Sequence, residues 1–183
     1  IFPSAFQWGI FLALARKTVT WYLHTQTVPL ARGFSAAVEE PRGVFVTLKK
    51  RGHLRGCIGR IIPHEPLGKL VGIMALQSAF NDNRFPQVTA GELKDIEFEL
   101  SVLTPAKAVA GPEAIVLGRD GVIIEKDGHS AVFLPQVATE QGWSREEMLD
   151  QLSRKAGLSA GSWRQGCRFS TFQAIVFSES DFW

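Results

Sequence analysis

Apolar positions run almost unbroken from Ala5 to Ala15, with Gln7 the one polar interruption. Phe6, Ile10 and Leu14, continued by Thr18 or Trp21, fall on one stripe at helical spacing, and Ser4 is placed to cap the first turn. A helix to about His24 is therefore predicted. Arg16 and Lys17 end the apolar run well short of the roughly 20 residues a membrane span needs. The charge follows the run, whereas a signal peptide carries it in front. The segment reads as a largely buried first helix. Ile1 stands where an initiator methionine is expected, which points to a longer parent chain.

Beyond a polar stretch holding Pro29, Gly33 and Pro41, residues 43–49 alternate as a strand. Lys50 to His53 form a turn, and 54–62 return as a second strand interrupted by two glycines. Leu67, Leu70, Val71, Met74, Ala75 and Ser78 lie at helical spacing, so 67–80 is predicted helical. Residues 81–86 are a loop. The run 96–103 alternates as a strand. Three strands are then predicted at 115–117, 122–126 and 130–134, joined by tight turns at Gly118–Gly121 and Asp127-Gly128. Two helices follow, over 135–141 and 144–156. Ser144 with Glu147 matches a capping box, and Gly157 stands at the C-terminal cap. A last strand covers 168–177. Strands joined mostly by hairpins and interleaved with helices give an α+β fold with a largely antiparallel sheet flanked by helices. Residues 44–53 and 122–129 echo each other, each a strand ending in a Gly-His turn. Hairpin chemistry accounts for that as readily as an old duplication does.

The chain has 183 residues, of which 45% are hydrophobic and 21% charged, as suits a folded domain with its own core. Its net charge of +2 provides little general attraction to nucleic acid or to an anionic membrane. Cys57 and Cys167 lie far apart in sequence, forming neither a disulfide framework nor a paired zinc motif. No P-loop, GxGxxG or GxSxG occurs, and no cofactor is expected.

The most unusual segment is His53-Leu-Arg-Gly-Cys-Ile-Gly-Arg60. Simple alternation puts His53, Arg55 and Cys57 on one strand face and Leu54 and Ile58 on the other. Positive neighbours favour a thiolate, which is the nucleophilic form. Gly56 and Gly59 leave room for a close approach. Cys57 is thus a candidate nucleophile, with His64 as its candidate base, if Pro63 turns the chain back. The competing reading is that Cys57 is a small buried hydrophobe. Residues 53 and 57 on a straight strand are about 13 Å apart, too far to bind one zinc. Arg55 and Arg60 are candidates to hold an anionic ligand, whereas Lys49 and Lys50 suit a solvated hairpin tip. Glu99 shares a face with Glu97 and is either a binding carboxylate or part of the wet side of a sheet. In the loop at 81–84, Asp82 and Arg84 either bind a ligand or pair with each other at a helix end.

The segment Leu54-Arg-Gly-Cys-Ile-Gly59 resembles the signature of the AMME-syndrome candidate protein family, the AMMECR domain. The resemblance continues through 79–86, 99–103, 118–121, 134–138, Gly142-Trp143 and 155–157, in order and along nearly the whole chain. It implies one α+β domain of two lobes, with the signature near a cleft between them. It also implies a cytoplasmic protein and, as partners, Memo-like and radical-SAM proteins. It carries no established reaction. Two functions follow as expectations. One is binding of a small anionic ligand around Arg55, Gly56, Gly59, Arg60, Asp82, Arg84 and Glu99, with Cys57 and His64 reactive. The other is a non-catalytic interaction module.

Overall fold

Two four-stranded antiparallel sheets, each packed against helices, make up the regular structure of residues 5–29 and 40–182, the part of the chain that this computed structural model describes. In chain order the elements are α1 (Ala5–Thr25), β1 (Val44–Lys50), β2 (His53–Arg60), α2 (Leu67–Phe80), β3 (Ile96–Leu103) and β4 (Lys107–Val109). They continue with β5 (Gly121–Lys126), β6 (His129–Phe133), α3 (Val137–Gln141), α4 (Arg145–Lys155), β7 (Arg168–Phe172) and β8 (Ala174–Ser178). The fold is α+β. The chain divides into two compact units, one running to Leu103 and resuming at Ile175, the other Thr104–Ala174.

The first unit holds the sheet β2-β1-β3-β8. Val44, Val46 and Leu48 of β1 and Phe98, Leu100 and Val102 of β3 point to one face and are almost fully buried. Helices α1 and α2 cover that face, through Phe11, Leu12, Ala15 and Val19 and through Leu67, Leu70 and Val71. Each of these Val, Leu and Phe side chains contributes roughly 1.5–3 kcal/mol by leaving water. The opposite face of the sheet carries Phe45, Thr47, Lys49, Glu97, Glu99 and Ser101. Helix α2 buries the stripe predicted for it.

Helix α1 does not. Its buried stripe is Phe11, Leu12, Ala15, Thr18 and Val19, while Trp21 is exposed. A helix apolar on nearly every side gives its sequence no basis for choosing a face. Thr18 can be buried because its hydroxyl donates to the Leu14 carbonyl. Ser4, the expected cap, lies outside the described residues, as does most of the polar stretch after α1.

The second unit holds the sheet β4-β7-β5-β6. Asp127 and Gly128 take φ of +49° and +79°, the left-handed pair that a two-residue hairpin turn requires. Arg51 and Gly52 do the same between β1 and β2, at +51° and +79°. The two Gly-His echoes are therefore the same turn. Ser144 and Glu147 form the reciprocal capping box, and Leu158 N–H returns to the Ser153 carbonyl beyond Gly157. Helix α4 packs Met148, Leu149 and Leu152 onto Val122, Ile124 and Phe169.

Three strand predictions need correction. Residues 115–117 form no strand; Ile115 is buried instead behind a short helical turn at Pro112–Ala114. The short strand β4 pairs with β7 where none was predicted. The single strand expected over 168–177 is two, split at Gln173, with β7 in the second sheet and β8 in the first.

Candidate functional site

Strand β2 lies at the edge of the first sheet, and its register is interrupted. Leu48 faces Gly56 but Lys49 faces Leu54, so Arg55 is an extra residue with no partner on β1. A bulge of this kind resets the alternation of faces. Beyond it Cys57 pairs with Thr47 on the face turned away from α1 and α2, and Gly56 and Ile58 turn inward with Leu48 and Val46. Arg55 does not share the thiol's face as expected, and Leu54, expected on the far side, does. The Arg55 guanidinium instead donates to Glu92 at 2.7 and 3.2 Å and to the Gln87 carbonyl at 3.3 Å. Lys50 reaches the same carboxylate at 2.8 Å. Burial alone would raise the Glu92 carboxyl, but these donors and the Thr89 N–H hold it down at about 2.

The two glycines have packing roles. A Cβ on Gly56 would lie 2.2 Å from the Ser78 carbonyl oxygen of α2, and one on Gly59 would lie 2.3 Å from the Phe45 ring. Ser78 completes the join between helix and sheet. Its buried hydroxyl donates to the Val46 carbonyl at 2.7 Å and accepts the Ile58 N–H at 2.8 Å.

An edge strand exposes backbone groups on its free side. At Cys57 those groups are taken by the loop after α2. Asp82, only 5% exposed, accepts the Cys57 N–H at 2.9 Å, and Arg84 donates to the Cys57 carbonyl at 3.1 Å. Arg84 also donates to Asp82 from Nε, Nη2 and its own backbone N–H. The Arg84 guanidinium holds the Asp82 carboxyl well below the usual carboxylate range. Burial opposes it and the Cys57 N–H assists. Asp82 and Arg84 therefore do pair, and the pair grips the backbone of Cys57.

The thiol is half-buried, 3.3 Å from Thr47 Oγ1. Glu99 stands beside Thr47 on β3, bound by Lys49 Nζ at 2.6 Å. Cys57, Thr47 and Glu99 thus form a row across three strands. His64 is exposed in the bend between β2 and α2 and makes no hydrogen bond to the thiol. Arg60 pairs with Glu65 at 2.6 Å and stands opposite Val44, off the thiol's face. Cys57, Gly56, Gly59, Asp82, Arg84 and Glu99 are brought together; His64, Arg55 and Arg60 are directed elsewhere. Thr47, Ser78 and Glu92 were not anticipated. The hairpin places Thr47 near Cys57, but Ser78 and Glu92 become visible only once α2 and the segment before β3 are packed. Among the described residues no helix is long and apolar enough to cross a membrane.

The AMMECR1 family model matches residues 12–177. A protein of Thermococcus onnurineus is 41% identical, the alignment covering 94% of this chain and 91% of the relative. A protein of Pyrococcus furiosus is 39% identical over 94% of this chain and 89% of its own length. Among solved structures, the crystal structure of an uncharacterized protein from Pyrococcus horikoshii superposes with a TM-score of 0.78 at 37% identity. That match covers 94% of this chain and 92% of the other.

Proposed function

The chain belongs to the AMMECR1 family, which has no established biochemistry, and from that premise we propose that it is a binding protein whose ligand meets the Cys57 thiol on the face of the first sheet turned away from α1 and α2. The observation that carries this reading is the grip on Cys57. Two side chains from a distant loop satisfy both free backbone groups of this one residue. Held backbone geometry is what a pre-organised contact requires. The ligand would meet the thiol, the Thr47 hydroxyl and the Lys49–Glu99 pair. Arg55, Arg60 and Arg84 each already hold a carboxylate, so an anion would have to displace one of them. Nucleophilic catalysis is the weaker form of the reading, because the group beside Sγ is a hydroxyl and not a base.

A second reading, an interaction module, is favoured by Leu54, which is 45% exposed on the same face as Cys57. Memo-like and radical-SAM proteins of the cytoplasm are the partners to test against a Leu54→Asp variant. The first reading is tested by native mass spectrometry of protein purified gently from its own host. The expected result is a bound small molecule on the wild type that is absent from Cys57→Ser of unchanged circular dichroism. A wild type carrying nothing, or a variant that keeps the molecule, contradicts it.

A further inference from the structure

The second unit has its own pocket, of about 350 Å³, between the segment after β4 and the segment entering β7. A volume of this size lies at the low end of small-molecule sites. Its apolar walls are Trp163, Phe169 and Pro112, with Cys167 beside them. Most of its polar groups are already engaged. Trp163 Nε1 donates to Asp150 at 2.7 Å, which fixes the indole. Arg164 stacks on that indole at 4.2 Å and pairs with Glu146 at 3.1 Å and Asp150 at 3.5 Å, so its charge is neutralised. The Cys167 thiol donates to the Ser162 carbonyl at 3.2 Å, and burial pushes its pKa up, which keeps it a neutral wall.

Glu113 is different. It has no ion-pair or hydrogen-bond partner among the described residues, and its carboxylate lies over Gly111, 2.7 Å from where a Cβ there would sit. The Lys126 ammonium beside Cys167 is spent on the Ser162 and Gln165 carbonyls, at 3.4 and 2.8 Å, so the pocket combines a fixed aromatic wall with a carboxylate that no cation of the described residues engages. We propose that it binds a small organic monocation, an amine with a flat apolar body, its ring against Trp163 and Phe169 and its ammonium on Glu113. The Coulomb and hydrogen-bond preference of the carboxylate selects against anions of the same shape. This site is separate from the Cys57 face and stands or falls independently of it.

The test uses three probes of similar shape on the folded chain: phenethylamine, its neutral counterpart phenethyl alcohol and the anion 3-phenylpropionate. Calorimetric titration is paired with protection of Cys167 from iodoacetamide, followed by peptide mass spectrometry. Phenethylamine should bind saturably in the millimolar range and slow labelling of Cys167. The alcohol should bind more weakly and the anion not at all. Glu113→Gln, an exposed change that leaves the fold intact, should weaken the amine by about tenfold and narrow its advantage over the alcohol. Absence of saturable amine binding, an anion that binds as well, or unchanged affinity in Glu113→Gln would each overturn the assignment.

Discussion

Substituting Gly56 by alanine should destabilise the protein by at least about 3 kcal/mol. The added methyl would meet the Ser78 carbonyl oxygen at 2.2 Å, and that oxygen belongs to helix backbone, with no rotamer to give way. Relief requires α2 to move off the sheet. Such a movement pulls the Ser78 hydroxyl from Val46 and Ile58 and opens the core beneath Val71, Met74 and Ala75. Gly91→Ala is the matched control, since a Cβ there meets nothing within 4 Å, and it should change stability by no more than about 0.5 kcal/mol. Urea denaturation of both variants measures the contrast. Equal midpoints would mean that the helix does not rest on Gly56.

Asp82→Asn should cost about 2–3 kcal/mol at neutral pH. The carboxylate accepts four hydrogen bonds, and the amide can replace neither their number nor their charge. Part of the loss is moderated because Arg84 is about half exposed and can turn to water. The penalty depends on pH with a definite sign. The folded carboxyl is held below its unfolded value of about 3.9, so its stabilisation is complete above that value. It is lost as pH falls and the unfolded chain takes up the proton first. Wild type and variant should therefore differ most from pH 5 to 7 (roughly) and converge in acid. A gap that widens below pH 4 (roughly) would contradict the ion-paired geometry.

Much of the first unit was legible because its pattern is unambiguous. The stripe of α2 and the alternation of β3 each match the structure to the residue. The pairing of Asp82 with Arg84 was also within reach, since the two are separated by a single residue at a helix end. The orientation of Cys57 was not. With the two-residue turn at Arg51-Gly52 and no bulge, the hairpin would place Cys57 opposite Val46 and bury it in the core. One extra residue at Arg55 carries it to the other face beside Thr47. A single-residue slip reverses every side chain beyond it, and nothing in simple alternation marks where the slip occurs. Gly56 offered a hint, because a glycine inside a strand often accompanies a bulge or a close backbone approach; here it does both. The division of 168–177 between two sheets escaped for a related reason. Both halves are good strand sequence, and Gln173 is an unremarkable residue for a switch. What makes it one is tertiary: its N–H donates to Thr104 Oγ1 and its carbonyl accepts the Thr104 N–H.

The signature segment therefore carries two kinds of information. Arg55, Gly56, Ile58 and Gly59 are accounted for by an ion pair, a helix contact, the core and an aromatic cover. Cys57 has its backbone fully engaged, while among the described residues its thiol hydrogen-bonds with the Thr47 hydroxyl alone. The claim that this thiol is presented for contact is tested most directly by alkylating the folded wild type with iodoacetamide and following both cysteines by peptide mass spectrometry. Cys57 should be labelled well before Cys167, at a rate far above that of global unfolding. If Cys57 is modified only as fast as the protein unfolds, the thiol is a packing residue and the binding face around it is excluded.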